Sequence, residues 1–223
     1  MNDIHDIYPT KVLIKQLDIS SEALDNIRSY LLAQYYDLYA QHGHKLSSAD
    51  WVGIGGVDKP MLDNEYVHEA CPEIKVLGEM LKQEGLNLAH ANSVNYSDHV
   101  LTNKYGEDVG PEKFKIECEI ESANINITET NDRMHMHTHY GDDAFGVLYF
   151  TDVAEEDGGK LVLHDPRWQR NYYFAGNKKF RVRPQRGTLV VAPNFLWHEI
   201  EDYFGEDDRM SLFFNIAIKK IKV

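Results

Sequence analysis

Three imidazoles fall within five residues at His135-Met136-His137-Thr138-His139, out of 11 histidines in a chain of 223 residues. Alternate residues of a β-strand share a face, so a strand here points all three rings the same way. Neutral imidazole suits Fe, Zn, Cu or Ni. Two ligands at i and i+2 can grip one ion, but they leave most of its coordination sphere open, so a third must come from elsewhere. His198 is the natural source. It closes the run Gly187-Thr-Leu-Val-Val-Ala-Pro193-Asn-Phe-Leu-Trp-His198, which reads as a turn glycine, a buried apolar strand, a proline that stops it, and a histidine opening the next element. Arg209 and Ser211 fall on one face of a final strand, with Phe213 next, while Met210, Leu212 and Phe214 fall on the other. A guanidinium facing a barrel interior needs an anionic partner, because an unpaired buried one is very costly. Bidentate capture of a carboxylate is the task arginine suits best; the competing partners are Glu206, Asp207 and Asp208 in the preceding acidic turn. A second His-x-His pair, His42-Gly43-His44, reads as a solvated loop after a helix, and His164 sits at a strand end beside Asp165-Pro166.

The elements that must position these groups change character midway. Thr10–Leu17 reads as a short strand. Asp18, Ser20 and Ser21 offer N-cap oxygens to a helix whose apolar stripe is Leu24, Ile27, Leu31, Leu32, Tyr35, Leu38 and Tyr39. A second helix starts at Pro72, where a missing N–H does no harm, carries Ile74, Leu77 and Leu81, and meets Gly85 as a C′ residue. From Lys113 the pattern is β: Phe114, Ile116, Cys118 and Ile120 alternate with charged residues, then the apolar phase slips to Ile125 and Ile127, which places a bulge near Ser122–Ala123. Further strands are expected at Met134–His139, Ala144–Phe150, Lys160–His164, Phe180–Arg183, Gly187–Ala192 and Met210–Ile218. Many short strands after two helices predict a mainly β fold with flanking helices, around a double-stranded β-helix (jelly-roll, cupin-like) core. With no repeat or linker, one domain over 1–223 is the simplest organisation: 1–112 supports the barrel, and 113–223 forms the core with the metal site.

Composition narrows the partners. Lys and Arg total 23 against 36 Asp and Glu, a net charge of −13. A phosphate-backbone binder carries a basic face, so nucleic acid is not the expected partner, and an acidic surface repels anionic membranes. The local basic run Lys178, Lys179, Arg181, Arg183 and Arg186 reads as a solvated strand edge, though it would also favour an anionic substrate. Cys71 and Cys118 have neither metal-type spacing nor the number for a disulfide framework. Met1–Pro9 has no apolar signal-type stretch, and no segment reaches a membrane-spanning length, so a cytoplasmic protein is the default expectation.

The ordered set His137-Thr-His139, Phe145-Gly-Val-Leu-Tyr-Phe150, Gly159-Lys-Leu-Val-Leu-His-Asp165-Pro-Arg167, Gly187-Thr-Leu-Val-Val-Ala-Pro193, Leu196-Trp-His198 and Arg209-Met-Ser-Leu-Phe-Phe-Asn215 resembles the Fe(II)/2-oxoglutarate-dependent oxygenase superfamily. Within it the set looks closest to the small bacterial and phage group of 2OG-Fe(II) oxygenases. The resemblance spans roughly residues 113–218. It implies Fe(II) as cofactor, with 2-oxoglutarate and O2 as cosubstrates, and a dioxygenase, most simply a hydroxylase, acting on a small molecule, peptide or protein. It also implies roles: His137 and His198 as two metal ligands, Arg209 on the distal carboxylate of 2-oxoglutarate with Ser211 as companion, and Tyr149 and Asn126 as further cosubstrate contacts. One position departs from the pattern. The superfamily has His-x-Asp, and here the second place is His139; the usual set is two histidines and one carboxylate. The favoured set is His137, His139 and His198, with Asp142 or Asp143 as an alternative carboxylate and His135 as an alternative histidine. Two rival readings keep the barrel: a three-histidine cupin-type dioxygenase or isomerase without 2-oxoglutarate, and a non-enzymatic metal-binding module. Neither needs Arg209-x-Ser211. Trp51, Trp168, Tyr172, Tyr173 and Trp197 are aromatic candidates for the mouth of a substrate site, and the N-terminal helices for a homodimer contact.

Overall fold

A computed structural model describes residues 10–93, 114–139, 141–166 and 179–222. Nine strands in them form two antiparallel sheets. In chain order they are β1 (Leu13–Gln16), β2 (Phe114–Thr128), β3 (Met134–His137), β4 (Ala144–Tyr149), β5 (Leu161–His164), β6 (Lys179–Val182), β7 (Thr188–Pro193), β8 (His198–Ile200) and β9 (Arg209–Lys222). The larger sheet has the order β1-β7-β4-β9-β2 and the smaller β3-β8-β5-β6. This is the double-stranded β-helix expected from the pattern of short strands.

Burial separates two apolar layers. Phe145, Val147, Tyr149, Leu161, Leu163, Val182, Val190, Ala192 and Leu196 pack together between the sheets. Ala123, Ile125, Ile127, Leu148, Leu189, Val191, Met210, Leu212, Phe214 and Ile216 project from the other face of the larger sheet into a second cluster with the helices. Odd and even residues of β4 and β9 thus serve different cores, which is the period of two that a strand imposes. Because both faces of β4 are covered, all six of its residues are buried.

The helices covering the outer face are α1 (Ser21–His42), α2 (Glu65–Ala70) and α3 (Pro72–Ser93). Ser20 caps α1, its hydroxyl accepting from the Ala23 N–H at 3.1 Å. Leu24, Ile27 and Leu31 are buried, whereas Tyr39 is 46% exposed and does not extend the stripe. α2 escapes a sequence reading because six residues are too few for periodicity; Asn64 caps it, accepting from Tyr66 and Val67 N–H.

Gly85 does not end the second long helix, which runs on to Ser93. A Cβ at Gly85 would lie 2.6 Å from Cys118 Sγ and 3.1 Å from Ile216 Cδ1. The glycine lets α3 lie close against β2 and β9 instead. The bulge in β2 lies one residue before the expected position: Ile120 faces Ile216 and Ser122 faces Asn215, leaving Glu121 as the extra residue. β1 is half the expected length. Among the described residues, no helix is long and apolar enough to cross a membrane.

Candidate active site

β3 and β8 bring two of the histidines together, since His137 faces His198 in the antiparallel register. A second irregularity decides which imidazoles join them. Met134 faces Ile200, so three steps along β3 match two along β8, and the extra residue falls between Met134 and His137. That breaks the alternation on which the shared face of the triplet depended. His135 is exposed and offers its backbone carbonyl rather than its ring. The strand ends at His137, and His139 follows in a segment tied down by its own N–H on Asn194 O at 3.3 Å.

The resulting cluster is His137, His139 and His198, whose candidate ligand nitrogens lie within 4.8 Å of one another. Two of the rings are oriented from behind. His137 Nδ1 is 2.7 Å from His135 O and His198 Nδ1 is 2.9 Å from Leu196 O. A carbonyl only accepts, so each Nδ1 carries the proton and each Nε2 keeps its lone pair; such backing is what orients metal-binding histidines. His139 Nε2 and His198 Nε2 approach to 3.2 Å. The floor is aromatic: Phe145 lies 4.0 Å from the His198 ring and Phe213 4.8 Å from the His139 ring, centroid to centroid. Burial pushes His139 down to about 4, with the neighbouring His137 adding to the effect. It pushes His198 down to about 3, although the hydrogen bond to Leu196 opposes it. Both are therefore neutral, and available as ligands, at neutral pH.

The larger sheet supplies the facing wall. Asn126, Val147, Arg209, Ser211 and Phe213 line the same small cavity as Met134, Leu161, His198 and Ile200. Ser211 lies opposite both Asn126 and Tyr149, in the register of β9 with β2 and β4. Arg209 is fully buried. Its Nε donates to Gly159 O at 2.8 Å and its Nη1 to Thr128 Oγ1 at 3.3 Å, while Nη2 has no partner. The guanidinium carbon sits 5.2 Å from the centre of the Tyr149 ring, and the buried Tyr149 hydroxyl interacts with the guanidinium, although neither it nor Nη2 makes a hydrogen bond of ordinary geometry. Among the described residues no carboxylate pairs with Arg209, so the acidic turn at Glu206–Asp208 does not neutralise it.

Gly159 and Thr128 are functional neighbours that sequence reasoning missed. Gly159 has φ of +59°, and a Cβ there would lie 3.1 Å from Arg209 Cδ. The Gly158-Gly159 pair reads as turn chemistry in the sequence; its second role, making room for the arginine, is set by a strand fifty residues away. The remaining candidates lie apart from the histidine cluster. Asp142 bonds to the Glu121 carboxyl, holding that acid above its usual range, and its backbone carbonyl accepts from Asn194. Asp143 Oδ2 accepts from the Ile218 N–H at 2.6 Å. His164 Nε2 bonds Glu199 at 3.0 Å. The basic run is matched by acids: Lys179 with Glu199, Arg181 with Glu201, Arg183 with Glu155 and Arg186 with Asp25. Trp51 is core and Trp197 half-buried. Lys178, Trp168, Tyr172 and Tyr173 lie outside the described residues.

Residues 123–215 match the family model described as "Putative 2OG-Fe(II) oxygenase". The match spans the strands that carry the histidine cluster and Arg209. Over these residues the chain is similar to the Fe(II)/2-oxoglutarate-dependent oxygenases. The matched family is one of oxidoreductases that use Fe(II) with 2-oxoglutarate and O2 as cosubstrates. Similar solved structures agree on the fold. AviO1 from Streptomyces viridochromogenes superposes with a TM-score of 0.56 at 12% identity, covering 94% of this chain and 90% of that one. HygX from Streptomyces hygroscopicus, solved with nickel and 2-oxoglutarate bound, gives 0.53 at 11% identity over 93% and 82%. A Pseudomonas putida prolyl-4-hydroxylase gives 0.51 at 14% identity over 93% and 88%. No curated protein matches the sequence.

Proposed function

We propose that this chain is an Fe(II)/2-oxoglutarate-dependent oxygenase, a hydroxylase of a small-molecule or peptide substrate, with Fe(II) held by His137, His139 and His198 and 2-oxoglutarate anchored by Arg209. The observation that carries the reading is the unmatched Nη2 of a fully buried arginine in the cavity that His198 also lines. A buried donor without a partner costs about 1–3 kcal/mol, and more when charged. A dicarboxylate reaching across that cavity would remove the penalty. Ser211, Asn126 and the Tyr149 hydroxyl stand beside it as further hydrogen-bonding groups for the same ligand.

The donor set fits a borderline divalent metal. Three neutral imidazoles contribute no charge, so the site keeps one more positive charge than the usual two-histidine, one-carboxylate set. Bound Fe(II) with 2-oxoglutarate and O2 supplies the oxidation of a substrate C–H bond, coupled to decarboxylation of the cosubstrate to succinate and CO2. This chain's residues bind, orient and dry the site. The His135 and Leu196 carbonyls accept from Nδ1 of His137 and His198, which turns Nε2 of each ring toward the metal position. Phe145, Phe213 and Val147 exclude water around the imidazoles, and Gly159 and Thr128 hold Arg209 in one pose. A prolyl-4-hydroxylase among the similar folds favours hydroxylation as the outcome.

Calorimetry of metal-loaded protein with 2-oxoglutarate tests the anchor. Truncating one partner of a buried, hydrogen-bonded charge pair costs about 2–5 kcal/mol, so Arg209→Ala should weaken binding roughly 30-fold or more. Equal binding by both proteins would discard the 2-oxoglutarate role and favour the cupin-type reading, which has no use for this arginine.

A further inference from the structure

A second group of ligand-type side chains lies outside the oxygenase site. α1 ends at His42, and Gly43 follows with φ of +68°, its N–H on Tyr39 O at 2.8 Å. That left-handed cap reverses the chain and brings the His44 ring to 5.6 Å from the His42 ring, nearly parallel at 28°. The chain then enters a short 3-10 turn, Ser48–Trp51, anchored by the fully buried Trp51. Asp50 in this turn is pinned: its Oδ2 accepts from Ser47 N at 2.6 Å and from Ser47 Oγ at 2.7 Å. Oδ1 is left 3.7 Å from His42 Nδ1. His44 Nδ1 lies 3.2 Å from Lys45 O, which makes Nε2 the nitrogen that carries the free lone pair in the neutral ring. The three candidate ligand atoms lie within 4.8 Å of one another.

We propose that His42, His44 and Asp50 form a second divalent-metal site, separate in every residue from the oxygenase cluster. Two imidazoles and one carboxylate suit a borderline transition cation of the zinc class; calcium and magnesium prefer all-oxygen sets. The geometry has the marks of a built site. The carboxylate is oriented by two donors, one imidazole by a backbone carbonyl, and a glycine cap turns two histidines toward one point. A surface ion pair between His42 and Asp50 would contribute little and would not account for the second stacked ring. The Ser47 hydrogen bonds also hold the Asp50 carboxyl below its usual range. Both histidines are exposed, which leaves open positions for water and makes the site exchangeable. Occupied, it would tie the end of α1 to the turn that carries Trp51.

The test is Zn(II) calorimetry on metal-free full-length protein, with a weak competing chelator to keep single surface histidines empty. The variant H42Q/H44Q changes only exposed side chains. The proposal predicts that it binds one equivalent fewer than the wild type, and that D50N weakens the same equivalent by about tenfold or more. An unchanged number of equivalents in H42Q/H44Q, or undiminished affinity in D50N, would overturn it.

Discussion

Arg209 keeps an Nη2 without an ordinary hydrogen bond, which the proposed 2-oxoglutarate would supply, and its neighbours hold the guanidinium in that pose. Gly159 is the sharpest example, because its carbonyl accepts from Arg209 Nε while its missing Cβ leaves room for Arg209 Cδ. Gly159→Ala should lower stability by about 1–3 kcal/mol, the strain of a left-handed alanine. It should also weaken 2-oxoglutarate binding, read by urea denaturation and calorimetry of the same variant. At the other wall, the sign of the histidine shifts sets a pH dependence. His139 and His198 are held at about 4 and about 3, below the ordinary value of 6.5. The unfolded chain then takes up protons first. The metal-free protein is thus predicted to keep full stability from these groups above about pH 6.5 and to lose it as pH falls toward 4 and then 3. Denaturant midpoints across pH 7 to 4 measure this, and a midpoint that rises on acidification would contradict it. The types and spacing of His137, His139, His198 and Arg209 were legible because few other roles suit them. Thr128 and Gly159 were not, since nothing local marks a residue whose task is to hold a side chain contributed by a distant strand.

At the scale of elements, two bulges explain why pattern reading stopped short. Alternation places His135, His137 and His139 on one face, yet an extra residue between Met134 and His137 moves His135 outside. Bulges are written in the pairing of two strands, so one strand's sequence cannot locate them; the slip in β2 was visible only because its apolar phase changes, and even there it was misplaced by a residue. Gly85 teaches the same lesson for helices. Near a helix end a glycine signals termination, but here the contact with Cys118 and Ile216 decides. Gly85→Ala would gain about 1 kcal/mol of helix propensity. Overpacking costs about 1–3 kcal/mol, so the net prediction is a less stable protein, checked by thermal unfolding. A more stable variant would mean that α3 shifts freely on the sheet.

Over the whole molecule, the two sheets divide the work. The smaller contributes histidines through β3 and β8, the larger contributes Arg209, Ser211, Tyr149 and Asn126 through β2, β4 and β9, and the cavity lies where they face. Ligand binding should therefore clamp the sheets together. With 2-oxoglutarate at a hundred times its Kd, metal-loaded protein should gain about 2.7 kcal/mol of stability, and Arg209→Ala should lose most of that gain. The fold class was legible from the run of short strands, and the helices from caps and stripes; the pairing of sheet walls that makes a site was not, because it depends on contacts between residues more than eighty positions apart.

The most direct measurement is an anaerobic crystal structure of the protein soaked with Fe(II) and 2-oxoglutarate. The account predicts an ion bonded to the Nε2 atoms of His137, His139 and His198, and the distal carboxylate of 2-oxoglutarate on Arg209 Nη2. An ion held by Asp142 or His135 instead, or a cosubstrate bound away from Arg209, would contradict it.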